Sequence, residues 1–288
     1  GQSAKNLEKN IHLINNSVIN NTSAKAALDM ACYDLYCKIF KIPLYKFLGG
    51  YRDILETDLT ISINSIDEMC NDAVKATEKG YKTLKIKVGE DIDNDLNRIR
   101  KIKEVVGSDV KLRLDANQGW KPKDAVKLIR KIEKENLNIE LIEQPVKASN
   151  IEGLKYVTDN TLIPIMADES IFSPLDSLKL LKIKACDLIN IKLMKSGGIY
   201  QALKINSIAE AYGIEVMIGS MLEAKISVTA AAHLAAAKKN ITRLDLDAPS
   251  LLAEDPVEGG IEINYSKINV FDKPGLGISN VNNLKKLD

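Results

Sequence analysis

Lys111-Leu-Arg-Leu-Asp115-Ala-Asn117 alternates polar and apolar residues and then reaches an acid, which is typical of a β-strand ending on a charged group. The same pattern recurs along the chain. Other short apolar runs end on acids or lysines at 83–87, 139–143, 164–169, 188–192 and 242–247. Segments with helical periodicity separate these runs. Strand, charged residue and helix in regular succession predict an α/β fold, a barrel whose strand ends share one face.

The rest of the chain indicates one barrel with a smaller appendage. Its 288 residues and 45% hydrophobic content suffice for one large core. Residues 1–52 have helical spacing, with no strand expected ahead of the barrel. Residues 53–248 are predicted to form the barrel, with 57–63 as its first strand. Residues 249–288 lose the periodicity and carry glycine turns, so they are expected to fold back over the barrel or onto the N-terminal helices.

Composition and charge narrow the class of protein. The formal net charge is +1, which argues against a nucleic-acid or membrane surface built on bulk charge. No stretch reaches the length of a membrane span, and no secretion signal is recognisable at the first residues. The cysteines at 32, 37, 70 and 186 form no CxxC pair. They are predicted to be reduced thiols of a cytoplasmic protein.

Three acids end three successive predicted strands: Asp115, Glu143 and Asp168. Adjacent strands lie about 4.8 Å apart, so these carboxylates are expected to converge and to raise one another's pKa. A hard divalent cation would relieve this repulsion, and three carboxylates completed by water or substrate suit Mg²⁺. A salt bridge or a helix cap explains any single acid equally well. Three acids in register favour the metal.

Two lysines end strands on opposite sides of this cluster: Lys87 on the second strand and Lys192 on the sixth. A nearby cation disfavours the ammonium form, so the pKa of such a lysine is expected to fall and the group can act as a base. Two lysines facing one substrate could remove a proton from one face and return one to the other, which is an epimerisation. Lys85 points to the same side as Lys87 and could stabilise an oxyanion or pair with an acid.

Further polar residues follow other strand ends. Asp245 and Asp247 on the last strand could bind a cation on the substrate, such as an α-ammonium, or could cap a turn before Pro249. Trp120 is expected near the rim of the site. The residues predicted to support the site without carrying the chemistry are Asn117, Glu169, Asn190 and Lys195.

These motifs resemble those of the enolase superfamily, in its muconate-lactonizing subgroup, over roughly residues 20–280. The resemblance implies a (β/α)7β TIM-type barrel, one Mg²⁺ per subunit on Asp115, Glu143 and Asp168, and acid/base lysines at Lys87 and Lys192. Substrates of the superfamily carry a carboxylate, which the metal binds as the enediolate forms. The motifs that carry the resemblance are Lys85-Ile-Lys87, Asp115-Ala-Asn117, Glu143-Gln-Pro145, Ala167-Asp-Glu-Ser170 and Asn190-Ile-Lys192-Leu-Met-Lys195-Ser-Gly-Gly198.

Leu244-Asp245-Leu-Asp247-Ala-Pro249 is similar to the Asp-x-Asp motif of dipeptide epimerases, where the pair binds the substrate's N-terminal ammonium. The resemblance therefore implies a small-molecule dipeptide as substrate, most often L-Ala-D/L-Glu from peptidoglycan recycling. Many relatives form homo-oligomers. Members of the superfamily begin with an N-terminal α+β capping domain. Residues 1–52 match only its later helical part, so the cap's opening and its specificity loop are expected to be absent from this sequence.

Other functions stay open at this level. A cycloisomerase, a dehydratase or an N-acylamino-acid racemase would keep the superfamily, but their substrates offer no cation to Asp245 and Asp247. A lysine on the sixth strand could also form a Schiff base, as in aldolases, although three aligned acids argue against that chemistry. A non-catalytic binding protein that lacks its lid is the last alternative.

Overall fold

The structure is a computed structural model that describes residues 2–285. Its helices are α1 (Leu7–Ser17), α2 (Thr22–Ile39), α3 (Leu44–Leu48), α4 (Ile66–Glu78), α5 (Ile92–Val106), α6 (Pro122–Glu135), α7 (Ile151–Asp159), α8 (Pro174–Lys182), α9 (Leu193–Ser196), α10 (Ile199–Ala211) and α11 (Lys225–Ala237), with a 3-10 turn at Ala248–Leu251. Its strands are β1 (Ile54–Glu56), β2 (Leu59–Ile61), β3 (Thr83–Lys87), β4 (Lys111–Asp115), β5 (Ile139–Glu143), β6 (Ile165–Ala167), β7 (Leu188–Lys192), β8 (Val216–Gly219), β9 (Ile241–Asp245), β10 (Val257–Gly259), β11 (Glu262–Asn264), β12 (Lys267–Asn269) and β13 (Ile278–Val281).

The largest sheet has eight strands, β2 to β9, which follow one another in chain order. Each neighbouring pair from β2 to β7 is parallel. Helices α4 to α11 connect these strands, which confirms the predicted (β/α)7β arrangement of the TIM-barrel type. No helix within residues 2–285 is both long and apolar enough to span a membrane.

Local capping sets where several of these helices begin. The Ser65 side chain accepts a hydrogen bond from the amide of Glu68 and caps α4. Asp91 caps α5 and Ser173 caps α8 in the same way. Proline opens α6 and α8, where its missing N–H costs no helical hydrogen bond. Each of these starts depends on residues that are next to one another in the chain.

The described chain divides into two compact units. The first contains Asp58–Asn190 and Ile208–Met217, and its core includes Leu141, Met166, Leu188 and Met217, which form one buried cluster. The second contains Ile191–Ser207 together with the described parts of Gly1–Thr57 and Ile218–Asp288. The predicted domains at 1–52, 53–248 and 249–288 stay a prediction, because the boundaries of the two compact units are not those of the predicted domains.

A short strand comes before the first strand of the large sheet, so the expectation that none would do so is wrong. In the second unit, β1 pairs antiparallel with β12, with Leu55 opposite Ile268. The barrel strand that follows covers only Leu59–Ile61 of the predicted 57–63. Three residues are too few to show a period of two, and the partner of β1 lies near the other end of the chain. The sequence pattern therefore could not reveal this pairing.

The residues after Pro249 contact the N-terminal helices, which is one of the two placements that the sequence left open. The amide of Leu44 donates to the carbonyl of Gly275 at 2.9 Å, and the amide of Leu276 donates to Asp34 Oδ1 at 2.7 Å. The Tyr45 hydroxyl is hydrogen-bonded to Asp272. The segment also contains four short strands, β10 to β13, that the sequence did not predict.

A buried histidine joins these same segments. His233 on α11 is 1% exposed, and its Nδ1 accepts a hydrogen bond of 3.1 Å from the amide of Tyr45. Burial lowers the pKa of His233 to about 4 from an ordinary value of 6.5, against the opposing effect of a hydrogen bond with the backbone of Leu276. The neutral ring is therefore the form that the folded protein holds.

This histidine is expected to make stability depend on pH. Because its folded pKa is depressed, its contribution is fully present above the unfolded value of 6.5 and is lost as the pH falls toward 4. From about pH 7.5 to about pH 5, the free energy of unfolding should fall about 2 kcal/mol more in the wild type than in His233→Gln, which does not titrate. Urea unfolding at the two pH values measures this. The exposed His12, changed to glutamine, is the control; equal slopes for all three proteins would contradict the assignment.

Candidate active site

The carboxyl ends of β3, β4 and β5 bring two lysines and two carboxylates into contact. Lys85 Nζ lies 3.0 Å from Asp115 Oδ2 and 2.7 Å from Glu143 Oε2. Lys87 Nζ lies 2.7 Å from the same Asp115 Oδ2. The two lysines differ in access, since the side chain of Lys85 is 2% exposed and that of Lys87 is 27% exposed. Lys85 is therefore a buried bridge between two acids, whereas Lys87 can meet a substrate.

Strand register explains these contacts. In the parallel ladder Lys87 is the partner of Asp115, and Asp115 is the partner of Glu143. Side chains two residues apart on a strand point to the same side, so Lys85 and Lys87 reach the same carboxylate from successive positions. The three strands end at the same level of the sheet, so the charged residues at their ends lie side by side.

The charge state of Asp115 depends on these lysines. Complete burial would raise the pKa of its carboxyl, but the ammonium groups of Lys85 and Lys87 outweigh this and lower the pKa below its usual value. The negative charge of Asp168 acts to raise the pKa of Asp115. Asp115 therefore stays ionised at neutral pH and can bind a cation.

The three predicted metal ligands are all buried, with exposures of 0% for Asp115, 1% for Glu143 and 2% for Asp168. Within residues 2–285, no three His, Cys, Asp or Glu side chains are already arranged as a group that could hold a metal ion. Lys85 bridges two of the acids instead. The donors themselves fit Mg²⁺, which prefers carboxylate oxygens. The ligand assignment stays a prediction.

Asn117 connects Lys87 to a further acid. Its Oδ1 accepts from Lys87 Nζ at 2.8 Å, and its Nδ2 donates to Glu169 Oε1 at 3.3 Å. Its backbone amide donates to Asp115 Oδ1 at 3.0 Å, in a left-handed conformation with φ of 40°. The contact with Glu169 orients the amide so that its oxygen faces Lys87. The structure therefore brings together Asn117 and Glu169, two of the predicted supporting residues, whose roles stay a prediction.

Two amide side chains hold the other acids in place. Asn190 Nδ2 donates to Glu143 Oε1 at 2.9 Å. Gln144, which the sequence analysis did not single out, is completely buried, and its Oε1 accepts from the amides of Asp168 at 2.9 Å and Ser170 at 3.2 Å. Gln144 therefore fixes the turn that carries Asp168. Its place inside the quoted motif Glu143-Gln-Pro145 is the signal that could have revealed this role.

A further buried acid, Asp95 on α5, connects the loops that follow β3 and β4. Asp95 Oδ2 accepts from the amide of Gly89 at 2.9 Å and from Trp120 Nε1 at 3.0 Å, while its Oδ1 accepts from Arg98 Nη1 at 2.7 Å. Trp120, expected near the rim of the site, is 5% exposed and so largely buried. Its indole joins the loop after β4 to the loop that follows Lys87.

The backbones of these two loops are in close contact at Gly119. A Cβ added at Gly119 would lie 2.1 Å from the carbonyl oxygen of Gly89, so the backbones would have to separate. Gly119→Ala is expected to lower the free energy of unfolding by about 3 kcal/mol, the upper range for overpacking, and to displace Lys87. Gly213→Ala is the control, because its Cβ would meet nothing within 4 Å. Its left-handed φ of 70° should cost only about 1 kcal/mol. Equal losses in urea unfolding would contradict the close-contact explanation.

The remaining predicted site residues belong to the other compact unit. Lys192 ends β7 and is 7% exposed, and Lys195 in α9 is 6% exposed. Asp245 ends β9 and is 5% exposed, and Asp247 is 9% exposed. Asp247 occupies the N-cap position of the 3-10 turn, but its side chain makes no capping hydrogen bond. The capping explanation for Asp247 is therefore not supported.

Two family models match the chain. The model described as "Enolase C-terminal domain-like" matches residues 68–282. The model described as "Mandelate racemase / muconate lactonizing enzyme, N-terminal domain" matches residues 1–49. Together they account for both the strand-end motifs and the N-terminal helices.

The chain is also similar to characterised proteins. It is 56% identical to an L-Ala-D/L-Glu epimerase of Clostridium acetobutylicum, over 98% of this chain and 79% of that protein. It superposes on a substrate-liganded complex of the L-Ala-D/L-Glu epimerase from Bacillus subtilis with a TM-score of 0.96 and 54% identity, over 98% of this chain and 79% of that one. It superposes on a dipeptide epimerase from Enterococcus faecalis V583, complexed with Mg and L-Leu-L-Tyr, with a TM-score of 0.93 and 50% identity. The superposition covers 97% of this chain and 79% of that one.

Proposed function

Because the chain belongs to the enolase superfamily, in the branch of the mandelate racemases and muconate-lactonizing enzymes, we propose that it is a Mg²⁺-dependent dipeptide epimerase, an isomerase. The observation that carries the proposal is the position of Lys87. Its ammonium is held at a strand end by Asp115 and Asn117 and is still accessible. A base so placed, beside the buried carboxylate of Asp115, suits removal of a proton next to a carboxylate.

The proposed reaction is a 1,1-proton transfer at the α-carbon of the C-terminal residue. One lysine, as the neutral amine, takes the α-proton, and the electron pair of the broken C–H bond moves into the substrate carboxylate to give an enediolate. The other lysine, as the ammonium ion, donates a proton to the opposite face. Lys87 and Lys192 divide these roles between the two epimers. A bound Mg²⁺, with Asp115, Glu143 and Asp168 as its proposed ligands, would supply positive charge opposite the developing negative charge.

Supporting roles follow from the contacts already described. Lys85 adds a buried positive charge to the same region and holds Asp115 and Glu143. Asn117 and Glu169 orient Lys87, and Asn190 orients Glu143. Lys195, in the short helix that follows Lys192, is proposed to support that part of the site.

The proposed substrate is L-Ala-D/L-Glu, with Asp245 and Asp247 binding its N-terminal ammonium. The Clostridium and Bacillus relatives, which are named for this dipeptide, support the choice. This substrate would give the enzyme a part in recycling peptidoglycan peptides. The Enterococcus complex with L-Leu-L-Tyr favours a second candidate, a dipeptide with a larger apolar C-terminal residue.

A comparison of three substrates tests this assignment. Turnover of L-Ala-L-Glu, L-Leu-L-Tyr and N-acetyl-L-Ala-L-Glu is followed by chiral chromatography of the hydrolysed products. We expect L-Ala-L-Glu to have the highest kcat/KM. Acetylation should lower kcat/KM about 100-fold, because it removes the cation that Asp245 and Asp247 are proposed to bind. Equal turnover of the acetylated compound would favour an N-acylamino-acid racemase instead.

A further inference from the structure

A buried carboxylate on α2 contacts the beginning of α10. Asp29 is 1% exposed. Its Oδ1 accepts a hydrogen bond of 2.6 Å from the amide of Ile199, and its Oδ2 accepts one of 3.4 Å from the amide of Tyr200. These are the first residues of α10, whose amides lack partners within their own helix. Asp29 therefore acts as an N-terminal cap supplied by a different helix.

The turn before α10 is shaped around this carboxylate. Gly198 has a φ of 113°, and a Cβ there would lie 2.4 Å from Asp29 Cγ. Helix α9 packs against α2 in the same region. Since β7 ends at Lys192 and α9 begins at Leu193, the segment from Lys192 to Tyr200 continues directly from the strand end to the cap. Asp29 fixes the far end of the segment that starts at Lys192.

Keeping this acid buried costs stability, which indicates a role beyond packing. Burial raises the pKa of Asp29 to about 7, even though the amides of Ile199 and Tyr200 act to lower it. An apolar residue of similar size would avoid this cost. It could not accept the two amides, however, and the first turn of α10 would lose its anchor.

We propose that Asp29 is a positioning residue for Lys192, which it holds in place through α9 and the glycine turn that leads to α10. The inference rests on the proposed function, in which Lys192 is one of two bases. It assigns a part in catalysis to helix α2, which contributes none of the residues predicted to carry the chemistry.

The test uses the selectivity of a two-base enzyme. Each lysine removes the α-proton of one epimer, so exchange of that proton with D₂O is measured separately from L-Ala-L-Glu and from L-Ala-D-Glu. Lys192→Ala identifies the epimer that depends on Lys192. Asp29→Ala is expected to slow exchange of that same epimer about tenfold or more, since small misplacements of a base cost much of its rate. The other epimer should stay within about threefold of the wild type.

Two further variants separate positioning from loss of structure. Asp29→Asn keeps an oxygen for the amide of Ile199 and should restore exchange to within about threefold of the wild type. Asp34→Ala is the matched control, because Asp34 also lies on α2 and also accepts a backbone amide, that of Leu276 at 2.7 Å. Asp34→Ala should not slow α-proton exchange of one epimer more than that of the other. If Asp29→Ala slows α-proton exchange equally for both epimers, or for neither, the proposal is overturned.

Amide hydrogen exchange keeps the inference separate from the proposed function. Peptides covering 193–201 should exchange faster in Asp29→Ala than in the wild type, whereas peptides covering 83–87 should not change. If the wild type exchanges the α-proton of no dipeptide, the proposed function fails. The anchoring role of Asp29 is then tested by the amide exchange of peptides 193–201 alone. Unchanged protection of 193–201 would overturn the inference whatever the activity.

Discussion

Replacing Lys192 with alanine is expected to lower kcat/KM for epimerisation by about 10³-fold or more. General acid–base groups contribute factors of about 10² to 10⁴, and neither direction of the reaction can be completed with one base missing. Turnover of L-Ala-L-Glu and of L-Ala-D-Glu is followed by chiral chromatography. Exchange of the α-proton from one epimer should survive, because Lys87 can still remove and return a proton on its own face.

The same variant should keep its affinity for Mg²⁺, since Lys192 is not among the proposed ligands. Isothermal titration with Mg²⁺ measures this, and circular dichroism checks the fold. Lys182→Ala serves as the control, because Lys182 is an exposed lysine on α8. A loss of metal binding in Lys192→Ala, or turnover equal to that of the control, would show that Lys192 has a different role.

Replacing Lys85 with methionine is expected to have a large effect on stability. Lys85 is 2% exposed and bridges Asp115 and Glu143, which are buried as well. Methionine fills a similar volume but leaves these two carboxylates facing each other with less positive charge. Breaking a buried ion pair by removing one partner typically costs about 3 to 5 kcal/mol, so we expect a loss of about 3 kcal/mol in EDTA. Urea unfolding measures it.

Mg²⁺ provides the second half of this prediction. The variant has lost positive charge between two of the proposed metal ligands, so added Mg²⁺ should raise its melting temperature more than that of the wild type. Lys82→Met, at an exposed position before β3, is the matched control. If Lys85→Met is as stable as the control in EDTA, or gains nothing from Mg²⁺, the bridging role of Lys85 and the metal assignment would both be in doubt.

The sequence could predict the strand ends because their signals are local. A short apolar run that ends on an acid is visible in Ile139–Glu143, and a proline before a helical pattern is visible at Pro122 and Pro174. The parallel register then places Lys87, Asp115 and Glu143 in line, as observed. The (β/α)7β order follows from the same alternation.

Other features depend on contacts between distant parts of the chain. The pairing of β1 with β12 joins two three-residue strands with no readable period. Asp29 and Asp95 look like ordinary helix acids until the fold brings Ile199 to one and Trp120 to the other. The bridging position of Lys85 depends on the reach of a long side chain, which strand spacing does not specify. A sequence pattern gives the direction of a side chain, but its partners depend on packing.

Proton NMR of L-Ala-L-Glu in D₂O, with this protein and Mg²⁺ and with EDTA in a parallel sample, tests the proposed chemistry most directly. We expect the α-proton signal of the glutamate residue to disappear and the signals of L-Ala-D-Glu to appear, with both changes stopped by EDTA. That result would establish the proton transfer, its metal dependence and one substrate together. Retention of the α-proton in this and in a panel of other dipeptides, or exchange that EDTA does not stop, would contradict a metal-dependent dipeptide epimerase.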